Sequence, residues 1–332
     1  MCTRAASGFP GLESPLSPTA ARPSCSRVTA QTSPTRRRLE PSKFDSQIHT
    51  PHCRCLQNPV TPSHCRKPQK KKTTRKHFNL WTQLPRIKPS DLTQKHLCFE
   101  DGEGGGSLHY ARWGNLLSSV EVFAVKLPGR ESRTKEPFSQ NMQQIVDEVI
   151  DVLLPLLKEK PFALFGHSFG SYTSFAVADA LKKLHNLQPV HIFLSGASAP
   201  YSEIRIKAPK RSDLSDDDFL KWLTSIGGTP PELLGNPEVM ERFLPVLKAD
   251  LHVVENYRCN KPDHPFLSCP VTCFDGKDDV PHDLQAWKDI TSGDFTIRML
   301  DGAHFYLKES GNEKHILEYI TNHLETLDMD YF

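Results

Sequence analysis

The chain has 332 residues, with 41 Lys+Arg and 39 Asp+Glu, and residues 1–95 hold 18 of the basic but 4 of the acidic side chains. A basic first part is followed by an acidic remainder, as in one globular domain with an appendage. No stretch reaches the roughly 18–20 apolar residues that span a bilayer, and no charged-then-apolar signal peptide opens the chain. These features exclude a membrane-spanning protein, and we expect a soluble, cytosolic one.

The first 92 residues are rich in Ser, Thr, Pro and Arg, with basic runs such as Arg36–Arg38, and they show little apolar periodicity. Such a segment buries too little apolar surface to offset the entropy of folding, so we predict a disordered basic extension over 1–92. A mitochondrial transit peptide and, for Lys70–Lys76, a nuclear signal are the alternatives. The cysteines and histidines of 52–65 lack the paired spacing of a zinc site, so we expect no metal.

From about Leu97 onward, short apolar runs alternate with longer segments of helical period, as at Ile145, Val149 and Val152. This alternation predicts an α/β fold, with a mostly parallel sheet and helices on both faces, over a domain at 93–332. The predicted strands are 120–125, 162–165, 190–194, 271–274 and 296–300, and the predicted core helices are 140–158, 171–184 and 312–327.

Residues 205–262 interrupt the alternation. They are acidic and helical in pattern, with candidate helices at 213–222 and 237–250. An insertion of this length between two core strands predicts a helical lid. The alternative is that these helices merely thicken the core.

The turn Gly-His-Ser-Phe-Gly at 166–170 lies between a short apolar strand and an Ala-containing helix. This context is typical of a nucleophile elbow. Gly166 and Gly170 carry no Cβ, so the chain can turn sharply and hold Ser168 out at the carboxyl edge of the sheet. We therefore predict Ser168 as a nucleophile, with the backbone N–H of Phe169 as one donor to an oxyanion.

A serine nucleophile needs a base and an orienting acid, and in this fold they follow it in the order acid, then histidine. Asp275, Asp278 and Asp279 follow one predicted strand, and His304 follows the next. Both loops come directly after strands, so their side chains can converge on Ser168. We predict His304 as the base and Asp279, deepest in its turn, as the acid, with Asp278 and Asp275 as alternatives.

Further motifs accompany the serine turn. They are Gly104-Gly105-Gly106-Ser107, Trp113-Gly114, Leu127-Pro128-Gly129-Arg130-Glu131-Ser132-Arg133, Gly227-Gly228-Thr229-Pro230, Ala286-Trp287-Lys288-Asp289 and Gly302-Ala303-His304-Phe305-Tyr306-Leu307. With these motifs the chain, from about 97 to 332, resembles the type II thioesterase family, and within it the animal medium-chain fatty-acid synthase thioesterases.

The resemblance implies an α/β-hydrolase fold and a serine thioesterase that releases medium-chain fatty acids through an acyl-serine. Matching the family's motifs places its nucleophile, acid and base at Ser168, Asp279 and His304. The implied partner is the acyl carrier protein of fatty-acid synthase, with the acyl chain on its phosphopantetheine arm, and the lid becomes the acyl-chain pocket. We expect a monomer with no cofactor, no metal, no nucleic acid and no membrane span.

One loop departs from the family pattern. Cys98-Phe99 is followed by Glu100-Asp101-Gly102-Glu103, without the proline expected there. The loop Glu100–Gly104 should supply the second oxyanion donor, and losing one such donor costs about 10²–10³ in rate. The strand before it, 94–99, is also too polar for a buried central strand.

Three hypotheses about function follow. An active acyl-thioester hydrolase leads, because the acidic lid and the segment 127–133 fit the thioesterase pattern. The triad alone does not exclude a carboxylesterase or lipase of the same fold, and the altered loop motivates a catalytically impaired isoform that binds the synthase. Arg130 and Arg133 are predicted either to contact the acidic carrier protein or to pair with lid carboxylates.

Overall fold

The computed structural model describes residues 81–82, 94–99, 106–117, 120–227 and 234–329. The chain divides into two units, 1–69 and 70–332, and every described residue belongs to the second. The predictions for residues 1–80, including the cysteines and histidines of 52–65, and for the loop 100–104 therefore lie outside the described residues.

The described strands make one sheet. They are β1 (Trp81–Thr82), β2 (Gln94–Phe99), β3 (Val120–Val125), β4 (Phe162–His167), β5 (His191–Ser195), β6 (Val271–Gly276) and β7 (Phe295–Leu300). Their spatial order is β1-β3-β2-β4-β5-β6-β7, with β1 antiparallel to β3 and every other neighbouring pair parallel. The chain changes direction across the sheet between β2 and β4, and ligands of open α/β sheets bind at the carboxyl ends of strands at such a switch point. The five predicted strands are confirmed, each to within two residues at either end.

Two strands differ from the sequence-based expectations, β1 because it was not predicted and β2 because of its central place in the sheet. Trp81–Thr82, inside the predicted disordered extension, pairs with Val125 and Ala124 of β3, so the sheet includes residues before the predicted domain start. Gln94–Phe99, which we judged too polar for a central strand, pairs with β3 on one side and with β4 on the other. Backbone hydrogen bonds on both of its edges hold it there, and these bonds form whether or not the side chains are polar.

Five of the described helices correspond to predicted ones, and the short helices 106–111 and 203–207 were not predicted. The described helices are α1 (Gly106–Ala111), α2 (Met142–Leu157), α3 (Phe169–His185), α4 (Glu203–Lys207), α5 (Asp216–Ile226), α6 (Pro237–Asn256) and α7 (Ser310–Met329). The start of α2 is capped by Asn141, whose side-chain oxygen accepts from the Gln144 N–H at 3.0 Å, and Pro237 opens α6 where a missing N–H costs nothing. Within the described ranges, no helix has both the length and the apolar character to cross a membrane.

Each face of the sheet has its own core, because successive strand side chains point to opposite faces. Phe162 and Leu164 of β4 join a buried cluster with residues of α2 and α3. Ala163 and Phe165 of the same strand join a second cluster with residues of α1 and α7. This arrangement is the predicted α/β-hydrolase layering. It buries every residue of β4, so the turn that follows β4 is anchored to a well-packed strand.

The helices between β5 and β6 form a lid with a core of its own. Its buried members are Phe219, Leu223, Met240, Leu244 and Leu247. Val253 and Val254, at the C-terminal end of α6, belong instead to the cluster of the first sheet face. The insertion therefore does more than thicken the central core, and α6 runs from the lid into that core.

Candidate active site

Ser168 lies at the turn from β4 into α3 in a backbone conformation that few side chains adopt. Its φ is 50° and its ψ is −114°, and such a conformation costs about 1–3 kcal/mol and persists where the surrounding structure imposes it. A Cβ on Gly166 would lie 2.1 Å from the carbonyl oxygen of Gly170. The strand and the helix thus approach as closely as the predicted nucleophile elbow requires.

Buried hydrogen bonds hold this turn against the neighbouring strand. The Ser168 N–H donates to the Ser195 carbonyl of β5 at 2.7 Å. The Ser171 hydroxyl lies 2.8 Å from the Gly166 carbonyl oxygen and 2.9 Å from that of Ser195, and it accepts from the Ser195 N–H at 3.0 Å. Ser171 is fully buried, so water cannot replace a hydrogen bond that is broken here. Each polar group left unsatisfied would cost about 1–3 kcal/mol.

His304 and Asp279 lie on the loops after β7 and β6 and contact each other. His304 Nδ1 is 2.7 Å from Asp279 Oδ2, and their side chains are 8% and 0% exposed. The other carboxylate oxygen accepts from the Val280 N–H at 2.7 Å, and the Asp278 N–H donates to the Gly302 carbonyl, joining the two loops. A carboxylate held in this way can fix the tautomer of the imidazole, with the proton on Nδ1 and a lone pair on Nε2.

The three aspartates at the end of β6 and in the loop after it have different surroundings. Asp278 is exposed, and Asp275 is buried with its Oδ2 2.9 Å from His282 Nδ1. Asp279 makes the contact with His304. The structure therefore distinguishes three residues that the sequence left as alternatives.

His167, beside Ser168, belongs to a buried hydrogen-bonded chain that the sequence did not predict. Its Nδ1 is 2.7 Å from Ser195 Oγ, which is 2.5 Å from the Tyr306 hydroxyl. Burial lowers the pKa of His167 well below its ordinary value, and the nearby His304 lowers it further. Since the two imidazole centres are 4.9 Å apart, a neutral His167 leaves His304 free to carry the positive charge.

Ser168, Asp279 and His304 line one pocket of about 420 Å³ that is bounded by the lid. Most of its other walls are apolar side chains of the core and the lid, among them Phe169, Tyr172, Trp222, Ile226, Leu251 and Val254. A nucleophile beside an apolar cleft is suited to an alkyl-chain substrate.

Phe169 is the first residue of α3 and borders the same pocket. The first N–H groups of a helix have no acceptor within the helix, and the helix N-terminus favours negative charge. The position of its N–H is thus suited to the predicted oxyanion donor. The second donor was predicted in the loop Glu100–Gly104, outside the described residues.

Arg130 and Arg133 are buried against carboxylates. Arg130 donates two hydrogen bonds to Asp250 of α6, at 2.7 and 2.6 Å. Arg133 pairs with Glu136 at 2.7 Å and with Glu148 at 2.6 Å. Both guanidinium groups are therefore engaged inside the protein, and their contact with a carrier protein stays a prediction. The alternative, pairing with a lid carboxylate, holds for Arg130.

The chain was compared with known families and proteins. A model of the thioesterase domain family matches residues 95–324. The rat medium-chain S-acyl fatty acid synthase thioesterase is 44% identical over 236 residues, which are 71% of this chain and 89% of the rat protein. Its human counterpart is 42% identical over 246 residues, covering 74% of this chain and 92% of the human protein.

Two solved structures with a similar fold are also thioesterases. The crystal structure of human thioesterase 2 superposes with a TM-score of 0.56 at 37% identity, covering 70% of this chain and 97% of that one. A thioesterase from the prodiginine biosynthetic pathway of Streptomyces coelicolor superposes with a TM-score of 0.63 at 31% identity, covering 71% and 92%.

Proposed function

We propose, because this chain belongs to the thioesterase domain family, that it hydrolyses medium-chain acyl thioesters carried on the phosphopantetheine arm of the acyl carrier protein of fatty-acid synthase. The chain is an enzyme of the serine-hydrolase thioesterase class. We propose the role of each active-site residue and the identity of the acyl donor.

Acylation begins at Ser168. His304 Nε2 takes the proton of the Ser168 hydroxyl while the oxygen attacks the thioester carbonyl, and Asp279 stabilises the imidazolium that results. The Phe169 N–H, at the start of α3, donates to the tetrahedral oxyanion. His304 then gives its proton to the departing thiolate, which leaves as the free thiol of the pantetheine arm.

Deacylation repeats these steps with water. His304 deprotonates the water that attacks the acyl-serine carbonyl, and the proton returns to Ser168 as the fatty acid leaves. His304 is the imidazole that becomes charged at this step. Buried His167 stays neutral beside it, and the enclosed Asp279 side chain faces the positive charge. No cofactor enters the sequence of steps.

The observation that carries the proposal is the position of the His304–Asp279 pair and Ser168 on one pocket with apolar walls. An alkyl chain gains roughly 0.8 kcal/mol for each buried CH₂, so an apolar cleft favours acyl chains over short acyl groups. The rat and human relatives are named medium-chain S-acyl fatty acid synthase thioesterases, and this supports a carrier-bound medium-chain substrate.

The test is hydrolysis of decanoyl-pantetheine and palmitoyl-CoA by the full-length protein, with Ser168→Ala as the blank. We expect turnover that falls by about 10⁴–10⁶ in the blank, with decanoyl-pantetheine preferred. A preference for palmitoyl-CoA would overturn the medium-chain assignment, and turnover of an oxygen ester such as p-nitrophenyl decanoate far above both thioesters would favour a carboxylesterase. No turnover above the blank would favour an impaired, synthase-binding isoform.

A further inference from the structure

A second histidine–aspartate pair lies directly beside the first. His282 Nδ1 is 2.9 Å from Asp275 Oδ2 and 3.8 Å from Asp279 Oδ2. The same Asp279 oxygen is 2.7 Å from His304 Nδ1. The four side chains thus form a row of contacts that runs from Asp275 through His282 and Asp279 to His304.

This cluster is enclosed but reachable. The side chains of His282, Asp275, Asp279 and His304 are 12%, 5%, 0% and 8% exposed. A surface groove of about 450 Å³ is lined by Asp275, Asp279 and His282, and the active-site pocket is lined by Asp279, His282 and His304. A small ion therefore has an approach to Asp279 and His282 from either side.

The donor atoms are of the types and spacing that zinc prefers. Zinc takes four histidine nitrogens and carboxylate oxygens at about 2.0–2.2 Å in a tetrahedron, which puts neighbouring donors roughly 3.3 Å apart. Asp279 Oδ2 lies 3.8 Å from His282 Nδ1 and 2.7 Å from His304 Nδ1, and these two separations bracket that value. One donor atom from each of Asp279, His282 and His304 already lies within 4.8 Å of the other two.

We propose that Asp279, His282 and His304 form an inhibitory site for Zn²⁺, with His304 Nδ1 and Asp279 Oδ2 among the ligands and a water molecule as the fourth. Asp275 is not a ligand but holds the imidazole of His282 in place. The metal is not a cofactor of hydrolysis, and it competes with the hydrogen bonds that the active enzyme uses.

Inhibition follows from the tautomer of His304, and this part rests on the proposed function. In the active enzyme the single ring proton lies on Nδ1, facing Asp279, and Nε2 has the lone pair that accepts the proton of Ser168. When Zn²⁺ occupies Nδ1, that proton moves to Nε2. The lone pair is then lost, and Ser168 cannot be deprotonated.

The first experiment measures binding without any catalysis. Full-length Ser168→Ala protein keeps all three protein ligands, and its titration with Co²⁺ should give the visible absorption bands of a tetrahedral cobalt site, which added Zn²⁺ should abolish. The matched protein carries His282→Asn in addition, because asparagine still donates a hydrogen bond toward Asp275 but lacks the imidazole ligand. Ser168→Ala with Asp275→Asn is a second test, which removes the carboxylate that holds His282 in place.

We expect the His282→Asn protein to lose these bands and the Asp275→Asn protein to bind Co²⁺ at least about tenfold more weakly. Absence of tetrahedral bands in the Ser168→Ala protein, or equal bands in all three proteins, would overturn the site. Equal bands would also identify metal held elsewhere, such as by the cysteines and histidines of 52–65. Since none of these proteins needs activity, the result does not depend on the proposed function.

The second experiment measures inhibition. Wild-type protein and His282→Asn are assayed against decanoyl-pantetheine over a range of free Zn²⁺, with each rate divided by the metal-free rate of the same protein. Zn²⁺ should inhibit the wild type reversibly on chelation and should inhibit His282→Asn at least about tenfold more weakly. Metal binding in the first experiment without inhibition here would overturn the inhibitory role and leave the site.

Discussion

The partner of each side chain, more than its position along the loop, distinguishes Asp279 from the aspartates beside it. Its side chain is fully enclosed against His304, whereas Asp278 is exposed and Asp275 faces His282. Spacing from the end of β6 fixes where the loop begins but not which side chain turns inward. The sequence could therefore predict the loop, and the contact depends on how two loops pack.

Asp279→Asn should lower kcat by about 10⁴-fold, because an amide favours the wrong tautomer of His304. Asp278→Asn makes the same chemical change on an exposed neighbour and should leave kcat within about twofold. Both variants are assayed with decanoyl-pantetheine. Similar losses in the two variants would contradict the assignment of the acid.

The close approach at Gly166 predicts a large stability effect. Gly166→Ala should prevent native folding or destabilise the protein by several kcal/mol, roughly 3 or more, because the new methyl would meet the Gly170 carbonyl. Gly311→Ala is the matched control, since nothing lies within 4 Å of its added Cβ and alanine in a helix is favoured by about 0.5–1 kcal/mol. Urea unfolding followed by circular dichroism measures both, and a stable Gly166→Ala protein would contradict this account.

The Cys259 thiol should react slowly for a partly exposed cysteine. Burial, assisted by the nearby Asp179, raises the pKa of Cys259 to about 11, so at pH 8 about one thiol in a thousand is the reactive thiolate. Alkylation should therefore speed up about tenfold for each pH unit from 8 to 10. Mass spectrometry of the peptide that contains Cys259, with glutathione as the reference thiol, would measure this, and labelling at the rate of glutathione would refute it.

At the scale of elements, one buried ion pair joins the lid to the sheet. Arg130 follows β3, Asp250 lies on α6, and their side chains are both 7% exposed. Arg130→Met should cost about 3–5 kcal/mol of unfolding free energy, because it leaves a buried carboxylate without its partner. The double variant with Asp250→Leu should recover much of that loss, and a double variant as unstable as the sum of both single variants would show that the pair is not coupled.

The elements that the sequence predicted well are those with a strong apolar signal. The strands at 120–125 and 162–165 and the helix at 140–158 each bury one face or both, so their pattern of apolar residues follows directly from burial. β2 lacked that signal, and its place between two neighbours depends on backbone pairing. The chain from His167 through Ser195 to Tyr306 was missed for a related reason, because its members come from three separate segments and nothing in the sequence marks Ser195.

At the scale of the whole molecule, the candidate site lies where independent parts meet. β4 supplies the turn of Ser168, the loops after β6 and β7 supply Asp279 and His304, and the lid supplies most of the apolar wall. The order of these residues in the chain predicted their meeting, because parallel strands bring their carboxyl ends to one edge. The shape of the pocket could not be predicted, since it depends on how α4, α5 and α6 pack against that edge.

The continuity of α6 also bears on how the protein melts. One end of this helix contributes Met240 and Leu244 to the lid cluster, and the other contributes Val253 and Val254 to the main core. A continuous helix shared by two apolar clusters couples their loss of structure, because unfolding one cluster removes packing from the helix that the other also uses. The lid and the sheet should therefore denature in a single cooperative transition, with calorimetric and van't Hoff enthalpies that agree, instead of as two independently melting bodies.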